Sequence, residues 1–346
     1  MTRIPSLAML PLVAGAAACD ERSEARAPVP VVHAEPRSSI DVDPLPSWND
    51  GDVKAALIAF VARVTKPDSP DYVPPRERVA VFDNDGTLWV ERPVPTQFFF
   101  ALDRVRELAP AHPEWKSQQP FKAVLEGDMK ALAATGERGA MKLMAATHVH
   151  NTSDEFTKVV TAWFESARHP ALDRPYQKLV YLPMLELLTY LRANNFSTYI
   201  VTGGGVEFLR PWSERVYGVP PPQVIGSRVK LEYRKADDGP VLYRLPQIDL
   251  LDDKAGKPVG IYEAIGRRPI LAFGNSDGDY EMLEWTTSGD GPRLGLLLHH
   301  TDAEREFAYD RDAQVSTLDR GLADAPSHSW IVVDMKRDWR AVFQAP

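Results

Sequence analysis

The stretch that most restricts the fold is Val79-Ala80-Val81-Phe82-Asp83-Asn84-Asp85-Gly86-Thr87-Leu88. An apolar, β-branched run that stops at carboxylates reads as a buried strand, Val79–Phe82, emptying into a loop, Asp83–Thr87. Open α/β sheets put their sites at such strand ends. Successive side chains on extended backbone alternate in direction, so Asp83 and Asp85 need not do the same job. Two acids this close repel unless a cation or a shared proton intervenes. Asp-Gly alone is a common turn, but a hydrophobic strand running into Asp-x-Asp-Gly-Thr is much rarer and reads as a catalytic loop. A calcium-binding EF-hand does not fit. Its loop needs Gly and Glu where Leu88 and Val94 stand.

The pattern of strand, polar loop and helix recurs downstream, which predicts the α/β class with an open parallel sheet. Phe196–Val201 reads as a strand that delivers Thr202-Gly203-Gly204-Gly205 to a helix beginning at Val206. Exposed N–H groups and the helix dipole favour an anion there. The dinucleotide fingerprint is excluded, because Phe208 stands where its last Gly belongs. Asp252 to Pro258 leads into a helix through Ile261 and Ile265, with Pro258 suited to the first helical position. Lys257 therefore stands at a helix entrance, where a cation is unfavourable unless an anion offsets it; Lys254 is the alternative. Pro269–Phe273 is a third strand, ending in Gly274-Asn275-Ser276-Asp277-Gly278-Asp279. Leu294–Leu298 is a further strand, and His299-His300 behind it read as local packing or surface.

Ahead of the first strand, Ala56, Leu57, Phe60, Val61 and Val64 mark a helix that Asp50 or Asp52 can cap. Residues 96–180 read as mostly helical. Phe98, Phe99, Leu102, Val105 and Leu108 recur at helical spacing, as do Leu125, Met129 and Leu132. Thr152 and Glu155 offer a capping box before a face of Phe156, Val159, Val160 and Phe164. Such a block suits a helical cap lobe between the first two core strands. Residues 224–245 read as a β-hairpin turning at Asp238-Gly239, with no chemistry assigned.

At these residues the chain resembles the haloacid-dehalogenase-like superfamily, most closely its phosphoserine-phosphatase-like branch. Asp83-x-Asp85-x-Thr87 matches the first motif of that family, Thr202 the second, Lys257 the third, and Asn275 to Asp279 the fourth. The resemblance implies a Rossmann-like open parallel core, 48–95 and 181–346, with a helical cap, 96–180. It also implies a Mg²⁺-dependent phosphomonoester hydrolase. In that chemistry Asp83 attacks phosphorus to give an aspartyl-phosphate, and Asp85 protonates the leaving oxygen and later activates water. Thr202, Gly203 and Lys257 bind the phosphoryl group. Asp83, the Asp85 carbonyl, Asn275 and Asp279 hold the metal, with Asp277 as an alternative ligand. Family dehalogenases lack the acid found here at Asp85, which argues against dehalogenation. The family's first fourth-motif acid is Asn275 here, which removes one charge from a hard-cation site. The phosphoserine-specific Glu falls at Arg92, with Glu91 one residue early, so phosphoserine is not assigned. The competing reading is a non-catalytic binding module on the same fold.

The first eighteen residues have secretory-signal architecture: Arg3, an apolar Leu7–Val13 stretch broken by Pro11, then small residues up to Ala18. Cys19 is the single cysteine. Its setting resembles a bacterial lipobox, although Ala16 replaces the usual Leu; plain cleavage after Ala18 is the alternative. Export to the periplasm with a lipid on Cys19 as the membrane attachment is the expectation. Proline-rich residues 19–47 then read as a flexible tether. A net charge of -8 without a basic, aromatic-interleaved stripe argues against a nucleic-acid partner. The partner expected is a small phosphomonoester.

Overall fold

The computed structural model describes residues 43–313 and 315–344, which form one compact unit. The expected signal segment, Cys19 and most of the expected tether lie outside them. The last tether residues are described, and they pack against the core. Leu45 is fully buried, Ser47 donates to Glu186 at 2.7 Å, and Asp43 pairs with Lys54 at 2.6 Å.

Eight strands are described: β1 Val79–Phe82, β2 Ser197–Gly205, β3 Val224–Ala236, β4 Gly239–Leu250, β5 Leu271–Gly274, β6 Leu294–Thr301, β7 Ala308–Tyr309 and β8 Ile331–Asp334. The sheet runs β4-β3-β2-β1-β5-β6-β7, with β8 also pairing β6. β1 lies between β2 and β5, parallel to both. The chain goes to one side of β1 for β2 and β3, then crosses to the other for β5. That reversal opens the crevice in which doubly wound sheets hold ligands. Strand alternation splits the core in two. Ala80, Phe82, Ile200 and Phe273 join Leu57, Leu187 and Trp212 on one face. Val79, Val81, Val201 and Ala272 join Ile261, Met282 and Leu283 on the other. A sheet covered on both faces explains why β1 is apolar throughout.

The helix Asp52–Thr65 buries Leu57, Phe60, Val61 and Val64 as expected, but Gly51 is its N-cap and makes no side-chain cap bond. Asp50 instead pairs with Lys54 at 2.9 Å. The helix expected through Leu125 and Leu132 is broken in two, Phe121–Glu126 and Met129–Ala134, by Gly127 at φ 70°. The capping box of Ser153–Ser166 is present, with Glu155 N donating to Thr152 Oγ1 at 3.1 Å and Thr152 N to Glu155 Oε2 at 2.8 Å. Residues 96–180 divide between two cores. Leu102, Val105, Trp115, Phe121 and Leu143 form a small cluster of their own. Phe156, Val160 and Phe164 join the main core, Phe164 stacking on Trp212 at 4.4 Å. The hairpin is longer than expected, and its second strand meets residues 150–151 through His150 N to Arg244 O and Arg244 N to Asn151 O.

Candidate active site

The carboxyl ends of β1, β2 and β5 and the start of the helix Gly256–Ile265 surround one cavity of about 480 Å³. Asp83, Asp85, Gly203, Lys257 and Asp279 line it. β1 ends when Asp83 N donates to Phe273 O at 2.9 Å, and the chain then tightens into a turn, Thr87 N and Leu88 N both donating to Asn84 O. Gly86 has φ +75°, and a side chain there would meet Asn275 Nδ2 at 2.2 Å and Glu91 Oε1 at 2.4 Å. Only glycine fits this turn without displacing both groups.

Lys257 is buried, and its Nζ lies 2.5 Å from Asp83 Oδ1, 2.7 Å from Asp279 Oδ1 and 2.8 Å from Val201 O. Burial alone would lower its pKa, but the carboxylates of Asp279, Asp83 and Asp252 outweigh burial and hold it raised. Burial, and then the charge of Asp279, push the Asp83 carboxyl well above its ordinary range, with Lys257 pulling back. One ammonium does not balance the acids around it. Asp83 Oδ2 keeps only a long 3.4 Å contact from Thr87 Oγ1.

Asp85 faces the same cavity. Its Oδ1 accepts from Trp89 Nε1 at 2.9 Å. Enclosure raises its pKa, and the Trp89 bond partly opposes the rise. Thr202 is buried behind the glycines, its Oγ1 accepting from Gly204 N at 3.0 Å, so Gly203 and Gly204 form the cavity wall at this point. Gly205 N is already taken by Gln97 Oε1 at 2.7 Å.

Asn275 is held at both ends of its amide. Thr87 Oγ1 donates to its Oδ1 at 3.0 Å, and its Nδ2 donates to Glu91 Oε1 at 2.9 Å. Asp279 Oδ2 accepts from Asn275 N and Ser276 N at 3.0 and 3.1 Å. The other oxygen, Oδ1, is buried and faces the Lys257 ammonium at 2.7 Å. Asp277, the alternative ligand, turns away: it accepts from Asp319 N, Arg320 N and Gly321 N, at the start of the helix Arg320–His328. Lys254, the alternative to Lys257, is exposed and does not line the cavity.

No cluster of three or more His, Cys, Asp or Glu side chains suited to a metal occurs among the described residues. A cation here would combine the Asp83 and Asp279 carboxylates with the Asn275 amide oxygen and a backbone carbonyl. That all-oxygen set and its excess of acids over the single Lys257 ammonium fit a hard divalent ion such as Mg²⁺.

Several contributors were not legible as such in the sequence. Trp89 reaches Asp85; Tyr217 Oη donates to Asn84 Oδ1 at 3.1 Å; His300 Nε2 donates to Gly86 O at 2.7 Å. His300 thus is packing, as expected, but packing against the acid loop. Glu91 accepts from Tyr309 Oη at 2.6 Å and Ser316 Oγ at 2.5 Å as well as from Asn275. Burial pushes its carboxyl up to about 7, against the pull of Ser316 and Tyr309. The acid spacing flagged Glu91 only as a near miss; nothing local pointed to the partners.

A family-wide sequence pattern for haloacid dehalogenase-like hydrolases matches residues 80–284. Among solved structures, a conserved protein of unknown function from Anaerococcus prevotii is 17% identical, with a TM-score of 0.49 over 72% of this chain and 86% of its own. One of unknown function from Bordetella pertussis is 17% identical, with a TM-score of 0.46 over 75% and 99%. A phosphoserine phosphohydrolase-like protein from Francisella tularensis is 14% identical, with a TM-score of 0.37 over 72% and 98%. No curated protein sequence matches the chain.

Proposed function

Since the chain belongs to the haloacid dehalogenase-like hydrolases, we propose that it hydrolyses small phosphomonoesters through an aspartyl-phosphate on Asp83. The observation that carries this reading is Asp85, a second carboxyl on the same cavity, with its pKa raised. An alkoxide leaving group needs a proton, and burial, by favouring the protonated carboxyl of Asp85, suits it to give one.

In this reading Asp83 attacks phosphorus as the ester P–O bond breaks, and Asp85 passes its proton to the departing oxygen. Water then attacks the phosphorus of the acyl phosphate and gives its proton to Asp85. The Asp83 carboxylate is released with inorganic phosphate. Lys257 fixes Asp83 through Oδ1, which leaves Oδ2 the less engaged oxygen. Gly203 and Gly204 leave room for phosphoryl oxygens, and Lys257 offsets their charge. Asp83, the Asp85 carbonyl, Asn275 and Asp279 would hold Mg²⁺. When bound, Mg²⁺ supplies charge neutralisation between the attacking carboxylate and the phosphoryl oxygens. Phosphoserine is not assigned: Arg92 stands where the family's amine-binding Glu falls, and neighbouring Glu91 is held by Asn275, Tyr309 and Ser316. The lone Cys19 and the pattern before it support an exported, lipid-anchored site of action.

Purified full chain with Mg²⁺ and p-nitrophenyl phosphate should release p-nitrophenol, lose activity to EDTA and regain it with added Mg²⁺. Asn275, an amide in place of an acid, favours the rival binding module. Absence of turnover on a broad phosphomonoester panel would decide for the module.

A further inference from the structure

A second cavity, of about 350 Å³, lies between the helix Gly136–His148 and the β3–β4 hairpin. It adjoins the first, sharing Gln97, Ala140, Met144, Gly203 and Gly204 with it. Its wall is chiefly apolar, with Met141, Phe156, Val229, Ile248 and Leu250 the bulky contributors.

Most polar groups of this wall are already spent on one another; Arg244 Nη1 is the exception, buried against Glu207 without a hydrogen bond. Gly205 N donates to Gln97 Oε1 at 2.7 Å, so the Gln97 amide nitrogen faces His148 Nε2 at 2.9 Å. His148 must then accept at Nε2 and carry its proton on Nδ1, which faces Thr147 Oγ1 at 2.7 Å; Thr147 donates onward to Leu143 O. Burial, then Arg244 and Arg104, hold the imidazole down to about 3, so it is neutral. Arg244 Nε donates to His148 O at 2.8 Å, and its guanidinium lies 4.0 Å from the Phe156 ring centre and against Glu207. Ser227 Oγ donates to Gly203 O and accepts from Asp252 N. Arg228 is turned to Asp249 and Glu263. A polar group entering here would lose its water and find all but the Arg244 guanidinium engaged. An apolar group would gain from burial. The rim is apolar as well: Met141, Ile248 and Leu251 are 56%, 56% and 61% exposed, a patch whose position beside the phosphate cavity gives it a ligand to cover it.

We infer that this cavity takes the apolar organic group of the substrate, so that the preferred esters are phosphates of apolar alcohols. This rests on the hydrolase reading above. The test is kcat/KM for ethyl, butyl and hexyl phosphate with the full chain and Mg²⁺. The expected rise is about threefold to fourfold per methylene, the equivalent of ~0.8 kcal/mol, with glycerol 3-phosphate no better than ethyl phosphate. Ile248→Asp, at a position exposed enough to tolerate the change, should lower the hexyl-to-ethyl ratio about tenfold. Binding of 1-naphthol, followed by its fluorescence, probes the cavity without turnover and should weaken in Ile248→Asp. Turnover with no chain-length dependence and no naphthol binding overturns the inference while keeping the hydrolase. Naphthol binding that Ile248→Asp weakens, with no ester turned over, overturns the hydrolase and leaves the apolar cavity standing. Self-association in sedimentation velocity, abolished by Ile248→Asp, in a protein that binds no naphthol would assign the patch to a second copy of the chain and overturn the inference too.

Discussion

In the acid loop, each polar side chain from Asp83 to Glu91 has a partner from a distant part of the chain or from across its own turn. Asp83 meets Lys257, Asn84 meets Tyr217, Asp85 meets Trp89, Thr87 meets Asn275, and Glu91 meets Tyr309, Ser316 and Asn275. Across the cavities, the wall made by the helix Gly136–His148 and the hairpin presents Met141, Ile248 and Leu251 largely to water. The loop is over-determined, because moving one group strands another in a buried setting, and a stranded buried polar group is costly. The wall relies on non-directional apolar contact, which tolerates change. Under the proposed function, the contrast teaches where chemistry and selectivity would separate: reacting atoms need fixed positions, whereas an organic leaving group needs mainly room and an apolar lining.

The largest effect should come from Asp83→Asn. Loss of the nucleophile should reduce kcat by at least about 10⁴-fold, with the circular dichroism spectrum retained; surviving activity would remove the loop from the chemistry. Gly86→Ala attacks the loop's geometry instead of its reactivity. The new methyl would enter the space of Asn275 and Glu91 at positive φ, and thermal unfolding should show a loss of about 3 kcal/mol. An unchanged Tm would mean the loop yields as readily as the wall.

Asp252 sharpens the comparison from beside Lys257. It is buried, neither carboxyl oxygen has a hydrogen-bond partner, and burial raises it from 3.8 to about 7, with Lys257 pulling the other way. The folded chain therefore holds this proton more tightly than the unfolded chain. The resulting penalty is absent below pH 3.8, grows as pH rises toward 7 and is complete above it. Asp252→Asn should match wild type in acid and be more stable by about 4 kcal/mol at pH 8, read from denaturant midpoints at the two pH values. The smallest effect belongs to Thr152→Ala, which removes a capping box at a helix end away from the loop and should cost about 1 kcal/mol with kcat unaltered. A drop in kcat there would show that the helix Ser153–Ser166 is also held rigidly.

Much of the site was readable because it is local. Val79–Phe82 followed by acids, Phe196–Val201 followed by Thr202 and glycines, and Pro269–Phe273 followed by Asn275 are each short runs in which apolar periodicity and turn chemistry sit side by side. The expected helix-entrance Lys257 sits in the first turn of its helix. Where local rules competed, the sequence was less informative. Gly127 cut one expected helix, and Asp50 chose Lys54 over capping.

Strand, loop and helix alternation therefore sufficed for the α/β class and for naming the residues at the sheet's carboxyl edge, since each pattern spans only a few neighbours. Only the folded chain decided how those residues are held. Asp277 goes to the helix at 320 and not to the cavity, Asn275 is oriented by Glu91, and His300 braces Gly86. The same holds for the hairpin, which had no assigned chemistry until it closed one side of the apolar cavity. Those pairings join segments 40 to more than 200 residues apart. Periodicity along the chain carries no information about such partners, because burial and hydrogen-bond satisfaction are settled among whole elements once they pack.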